Sequence, residues 1–418
     1  MQNVVSMALF LCCFLVFFEG TESSLRELNL SRRSQPKTGL CDALIRPSGY
    51  HCSEHVVETE DGYLLGLQRV SSSSRNGGGI QGLPFEIIHH FVLALSSSKL
   101  YSYFINYAGG DAWFLNSIGQ SLGFILVDQG FDVWVGNVRG THWSHGHISL
   151  TERSKEFWDW SWQELALYDL ATMIKHVFSV TNSKVFFVGH SQGTIMALAA
   201  FTQPEIVDMV EAAALLCPIS YLGHVTSPFV HRLVGLHLDQ MIMALGIHQL
   251  NFRSDLCVRL VDSFCDREVE CGNFLTAITG GNCCFNNSRV DFYLNYEPHP
   301  SSAKNLNHLF QMIRKGTFAM YDYGLFGNIR RYGQSNPPAF DIARIPKLLP
   351  VWMGYGGTDA LADVKDVEHT LQDLKLKPEL LYLSSYGHID FLLSVRAKED
   401  VYDAMIRFFK SSKHAAYL

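Results

Sequence analysis

Two parts of this chain carry short apolar runs set between amphipathic stretches, and the part between them loses that rhythm. Residues 55–70, HVVETEDGYLLGLQRV, alternate apolar with polar and turn at Asp61-Gly62, which predicts a β-hairpin. A low-complexity loop, SSSSRNGGG, covers 71–79. Residues 85–107, FEIIHHFVLALSSSKLYSYFINY, begin as a short buried strand, pass His89-His90 and then show no period. Beyond Asn116 helix and strand alternate: SIGQSLGFILVDQG predicts a helix, FDVWVG a strand, 163–177 a helix, and KVFFV at 184–188 a buried strand. Within 163–177, Leu167, Leu170, Ile174 and Val177 share one face.

Residues 219–335 break the alternation and read as a mostly helical insertion, with HRLVGLHLDQMIMALG as one helical piece. The alternation returns with LPVWMG, a helix from near Asp363, the strand ELLYL and a closing helix over 397–409. Strands separated by amphipathic helices imply an α/β fold with a mainly parallel sheet. The expected organisation is a leader at 1–24, a core from 25–218 and 336–418, and a cap inserted at 219–335.

Composition narrows this picture. At 418 residues and 47% hydrophobic content the chain supports a large core, and its net charge of −7 is dispersed, without the basic patch of a nucleic-acid binder. The uncharged apolar run at 4–18, followed by small and polar residues, reads as a secretory signal peptide and falls short of the roughly 20 residues a spanning helix needs. No later segment is long and apolar enough to span a bilayer, so a soluble mature chain is expected. Removing the leader takes Cys12 and Cys13 and leaves eight cysteines, an even number that suits disulfides in an oxidising compartment. Five of them fall between Cys257 and Cys284; Cys217, at the end of AAALLC, reads as a buried free thiol. Sequons at Asn29 and Asn286 agree with a secretory route, outside the cell or in a vacuole or lysosome.

The strongest chemical signal is KVFFVGHSQGTIMALAA, in which Gly189 to Gly193 match G-x-S-x-G between a predicted strand and a helix. That context lifts Ser191 out on a sharp turn and aims the helix's N-terminal amides where negative charge develops. A serine hydroxyl needs a base, and the base needs an acid to hold its tautomer. In chain order these are Asp359, in a Gly-rich loop after a strand, and His388, in a loop after the next. Asp363 competes for the acid's role but reads as a helix N-cap, and Asp390 lies too close in sequence to His388 to face it. His142, His145 and His147 share one loop, yet lack the spaced carboxylates or Cys-x-x-Cys pair of a zinc site. FWDWSW, 157–162, suits either an acyl-binding wall or aromatic packing beside the sheet.

With these residues placed, the chain resembles the acid lipases of the α/β-hydrolase fold, the group of gastric and lysosomal acid lipase, and most of all their plant triacylglycerol lipase members. The stretches that carry the likeness include GFILVDQGFDVWVGNVRGT, EFWDWSWQELALYDL, VGHSQGT, GGNCCFN, HLFQMIRKGTFAMYDYG, GGTDALADV and YGHIDF. The resemblance implies hydrolysis of lipid carboxylic esters at a lipid–water interface, with Ser191 as nucleophile, Asp359 as orienting acid and His388 as base. It implies a helical cap, no metal or other cofactor, and a cap disulfide for which Cys271 and Cys283 are the candidates. Gln192, directly after the nucleophile, supplies one oxyanion donor through its backbone N–H.

The second oxyanion donor is where the chain departs from the pattern. The family carries His-Gly-Leu at the end of the early strand and a Trp about nine residues later. Here Phe91 follows His90 where Gly is expected, and Trp113 comes 23 positions after His90. An atypical insert of about fourteen residues therefore lies within 91–107, either a rebuilt loop or intron sequence carried into the chain. The matching flanks and the patternless insert favour the second. Loss of one such donor typically lowers turnover by about 10² to 10³. A steryl-ester or small-ester esterase, and a lipid-binding homologue with impaired turnover, are the alternative functions.

Overall fold

The computed structural model describes residues 39–72, 83–90, 109–251, 278–286, 289, 292–293 and 296–415, with only the backbone for 83–90 and 413–415. The leader at 1–24, Asn29 and the segment 91–108 lie outside these residues. In the predicted hairpin, Thr59 N–H bonds the Tyr63 carbonyl and Gly62 takes φ 92°, closing the turn between β1 (His51–Glu58) and β2 (Tyr63–Ser71). The strands that follow are β3 (Leu83–His90), β4 (Phe131–Gly136), β5 (Gly146–His147), β6 (Val185–Ser191), β7 (Val210–Leu216), β8 (Gln249–Leu250), β9 (Ser301–Ser302), β10 (Val351–Gly356) and β11 (Glu379–Leu383).

Among the described residues one sheet runs in the order β1-β2-β4-β3-β6-β7-β10-β11, with β5 on β2, and β8 and β9 form a separate pair. From β4 to β11 every neighbouring pair is parallel, whereas β2 pairs antiparallel with β1, β4 and β5. Every position of β4 and β6 is buried, which is why these strands read as mostly apolar without alternation: parallel strands are covered on both faces.

The covering helices are α1 (Leu122–Asp128), α2 (Ala171–Thr181) and α3 (Gln192–Ala200). Between β7 and β10 come α4 (Pro228–Gly235), α5 (Leu238–Ala244), α6 (Ala303–Lys315) and α7 (Gly324–Tyr332), and then α8 (Val364–Asp373) and α9 (Asp403–Ala415). The helix expected over 163–177 is part of a longer run opened by a Ser161/Glu164 capping box; a wide π-type stretch at Leu165–Leu170 leads into α2. Its predicted face holds, since Leu170, Ile174 and Val177 are buried and Leu167 packs against the core. The single helix read from HRLVGLHLDQMIMALG is instead two, α4 and α5. His237 at φ 51° breaks the run in the left-handed region, a break that the apolar periodicity does not show.

Arg139, just beyond β4, ties three elements together and is 1% exposed. Its Nε bonds Asp169 Oδ1 at 2.7 Å, its Nη1 bonds Asp61 Oδ2 at 2.6 Å, and its guanidinium lies 3.8 Å from the Tyr63 ring centroid. Burial alone lowers such a group's pKa, but Asp169 and Asp61 outweigh it and hold the guanidinium above its ordinary range. The hairpin turn, the exit of β4 and the stretch before α2 are therefore locked in one arrangement behind the strand ends.

Candidate active site

The centre of the site is the junction of β6 and α3. Ser191 ends the strand at φ 53° and ψ −118°, a strained conformation for a residue other than glycine, and stands at the N-cap position of the following helix. A Cβ on Gly189 would stand 3.0 Å from the backbone of Gly193 and 2.9 Å from the Phe187 ring, so the turn closes only with glycine there. This is the strand–turn–helix geometry expected from G-x-S-x-G.

Two loops from the other half of the sheet reach Ser191. His388 Nε2 lies 2.8 Å from Ser191 Oγ, and His388 Nδ1 lies 2.8 Å from Asp359 Oδ2. An ionised carboxylate only accepts, so Nδ1 carries the ring proton and Nε2 is left to accept from the serine hydroxyl. The second oxygen of Asp359 accepts from Leu361 N and Ala362 N, each at 2.8 Å. Burial pushes this carboxyl up, but the neighbouring His388 and the two amides outweigh it and hold it below its ordinary range. All three side chains are buried. The competitors read from the sequence have other duties. Asp363 caps α8 by accepting from Lys365 N, and Asp390 accepts from the backbone N–H groups of Gly387, Cys283 and Cys284.

The position of His388 depends on residues to which sequence patterns gave no part in the site. Its carbonyl accepts from His190 Nε2 at 2.9 Å and from Cys217 Sγ at 3.3 Å. Burial, then the nearby Asp359, pushes the Cys217 thiol well above its ordinary value, so it remains a donor. Thr279 offers one carbonyl to both Ala360 N and His388 N, stitching the acid loop to the histidine loop. Gly280 sits beside them at φ 87°, where a Cβ would fall 1.8 Å from the Thr358 carbonyl oxygen. The available signal was the Gly280-Gly281 pair ahead of Asn282.

Similarity to known proteins fits this geometry. Residues 41–102 match a family described as a partial α/β-hydrolase lipase region, and 108–245 match the α/β hydrolase fold. Triacylglycerol lipase 1 of Arabidopsis thaliana is 59% identical over 93% of this chain and 94% of that protein. The chain belongs to the acid lipase family of α/β-hydrolases. Gastric triacylglycerol lipase of Homo sapiens is 32% identical over 87% of this chain and 89% of its own. A solved soluble variant of monoglyceride lipase from Saccharomyces cerevisiae matches with a TM-score of 0.51 at 15% identity, covering 86% of this chain and 94% of that one; this shares the fold alone. An acid lipase of this kind is a serine hydrolase acting on carboxylic esters.

In this acid lipase β3 ends at His90, whose backbone pairs in register with Ser191. Phe91 and the second oxyanion donor, expected at this strand end, lie outside the described residues. Gln192 opens α3, and its side-chain Oε1 accepts from Asn305 Nδ2 of α6 at 3.1 Å. The disulfide expected between Cys271 and Cys283 is not formed: Cys283 is bonded to its neighbour Cys284, and Cys271 lies outside the described residues. The expected pairing came from the resemblance, and the one sulfur of Cys283 is taken up by Cys284. Cys41 and Cys52 form a second bridge, and Cys217 is buried and free as read from AAALLC. Asn286 is half-buried.

Neither histidine-rich feature is arranged as a metal centre. His147 Nδ1 accepts from Ser149 N and Leu150 N, so it holds its own turn. Asp111, Glu297 and His299 meet in the interior, but His299 Nδ1 accepts from His142 N at 3.0 Å, which puts the ring proton on Nε2, facing Asp111. A nitrogen that carries a proton is no ligand. The aromatic run at 157–162 is core packing, with Phe157, Trp158, Trp160 and Trp162 all buried.

One histidine makes this fold acid-sensitive. His308 on α6 stacks on Trp162 at 4.6 Å and bonds the Ala319 carbonyl at 3.0 Å, and burial pushes its pKa from 6.5 down to about 3. The unfolded chain takes up this proton near pH 6.5 while the folded chain refuses it, so the contribution present above 6.5 is lost as pH falls toward about 3. His308→Gln keeps a donor for Ala319 and removes the titration. Between about pH 7 and about pH 4 its Tm is expected to fall less than that of the wild type. Parallel Tm–pH curves for the two proteins would contradict this.

Proposed function

We propose that the chain is a lipase acting on neutral lipids, triacylglycerol foremost, through an acyl-enzyme on Ser191. The observation that carries this reading is the pair of 2.8 Å contacts running from Ser191 through His388 to Asp359. The 59% identity to a protein named triacylglycerol lipase 1 supports the substrate class. His388 Nε2 takes the Ser191 proton as Oγ attacks the ester carbonyl, and the resulting imidazolium is stabilised by Asp359. The same proton passes to the departing diacylglycerol alkoxide. Water then gives its proton to Nε2 and attacks the acyl carbon, releasing fatty acid and restoring Ser191.

The oxyanion that forms in each step is met by the backbone N–H of Gln192 at the start of α3, where helix amides lack intrahelical partners. The bond from Asn305 supports this role by holding the Gln192 side chain against α6. A second donor is proposed from the residues directly after His90. The apolar leader at 4–18 supports a secretory route to the cell exterior or to a vacuole or lysosome.

Substrate profiling tests the assignment. With emulsified trioleoylglycerol, cholesteryl oleate and 4-nitrophenyl acetate as substrates, the highest kcat/KM is expected on trioleoylglycerol. Preference for cholesteryl oleate would move the enzyme to the steryl-ester class. No turnover of any of the three would leave a lipid-binding homologue.

A further inference from the structure

The excursion between Phe318 and Phe340 carries a helix whose apolar side chains face water. Met320 N bonds the Pro338 carbonyl, Phe340 N bonds the Phe318 carbonyl, and Ala319 bridges Ala339, so the chain leaves and returns at one point with α7 between. Of the nine residues of α7 only Asn328 is buried, anchored by Tyr323 N, Asp322 Oδ1 and the Ser335 carbonyl. Leu325, Phe326 and Ile329 are 55%, 79% and 49% exposed. At 100° per residue these three share an arc of roughly 100° on one face. Soluble chains commonly expose single apolar residues, but three neighbours on one short helix make a patch that marks an interaction surface.

The charges around the patch say what it meets. Arg330 and Arg331 follow it on the same helix, both exposed, and residues 323–340 hold no Asp or Glu. In a chain of net charge −7 this is a local reversal of sign. An open depression of about 400 Å³ is lined by Tyr323, Gly327, Arg330 and Arg331, and the Arg331 guanidinium stands 4.9 Å from the Tyr323 ring centroid. Two guanidinium groups beside a concave space suit a phosphate-bearing headgroup, while apolar side chains on the adjoining arc suit the acyl boundary beneath it.

We propose that α7 is the element that docks the enzyme on an anionic phospholipid surface, with Phe326, Leu325 and Ile329 inserting and Arg330 and Arg331 holding phosphate. This rests on the lipase reading and adds to it a lipid class and a place on the chain. The docking surface is built from none of the reacting groups: Ser191, His388 and Asp359 lie on β6 and the loops after β10 and β11. It is joined to them through α6, which precedes α7 and carries Asn305 against Gln192.

Co-sedimentation of the full chain with vesicles of phosphatidylcholine, with and without phosphatidylglycerol, tests the proposal. Wild type is expected to bind the anionic vesicles more tightly, and added salt to weaken that preference. R330Q/R331Q is expected to lose roughly fivefold in binding per arginine on anionic vesicles and little on phosphatidylcholine alone. F326S/I329S is expected to lose binding about tenfold or more to both. Hydrolysis of soluble 4-nitrophenyl butyrate should be unchanged in both variants. Wild-type-like vesicle binding by the two variants overturns the proposal. A shift from dimer to monomer on gel filtration in F326S/I329S also overturns it, since the patch would then cover a second copy. If 4-nitrophenyl butyrate is not hydrolysed even by wild type, the catalytic reading fails while vesicle binding still decides the docking surface.

Discussion

Ser191→Ala is expected to lower kcat on a soluble ester about a million-fold and to leave the fold unchanged. Only the Oγ is lost, and the Cβ that fills the strained elbow remains. The hydroxyl's recorded partner is His388 Nε2 at 2.8 Å, so its removal frees no buried carboxylate and opens no cavity larger than an oxygen. The magnitude is that of deleting the nucleophile from a serine hydrolase while the rest of its site is left as it was. Thermal unfolding of the variant within a degree or so of wild type, together with the loss of turnover, is the expected pair of readouts. Retention of more than about a hundredth of the activity would place the nucleophile elsewhere.

Asp359→Asn is expected to cost about 10⁴ in kcat. The change is isosteric, and Oδ1 can keep the bonds from Leu361 N and Ala362 N. What changes is the atom facing His388 Nδ1. An amide NH₂ donates, so Nδ1 must accept, the ring proton moves to Nε2, and the base toward Ser191 is gone. The control is Asp390→Asn, whose carboxylate faces the amides of Gly387, Cys283 and Cys284 and never touches the ring. That variant has no route to the wrong tautomer. Equal losses in kcat from the two substitutions would show that Asp359 acts only by holding its loop.

Much of this site was legible because each catalytic candidate stands at a junction with a local signature. Ser191 lies between a run of buried β-formers and a run of small helix-formers, Asp359 just after LPVWMG, and His388 just after ELLYL. Asp363 was separable from Asp359 because an acid opening an amphipathic stretch has a known use as an N-cap, and it caps α8 in the structure. Thr279 was not legible, because it acts through a main-chain carbonyl that any residue possesses. His190 gave no signal beyond filling the variable position of G-x-S-x-G, yet it supports the His388 carbonyl. The bond between Gln192 and Asn305 spans 113 positions, and only the folded chain brings its partners together. The left-handed His237 that splits α4 from α5 leaves no mark on the periodicity, and the pairing of adjacent Cys283 and Cys284 departs from what the resemblance implied.

The most direct measurement is labelling with a fluorophosphonate probe, which reacts with a serine only where a base has activated it and an oxyanion site receives the phosphoryl oxygen. Wild type is expected to take up one probe per chain, on the peptide bearing Ser191, with parallel loss of trioleoylglycerol hydrolysis, and Ser191→Ala to take up none. Labelling of the two proteins to the same extent, or no labelling of either, would contradict the account.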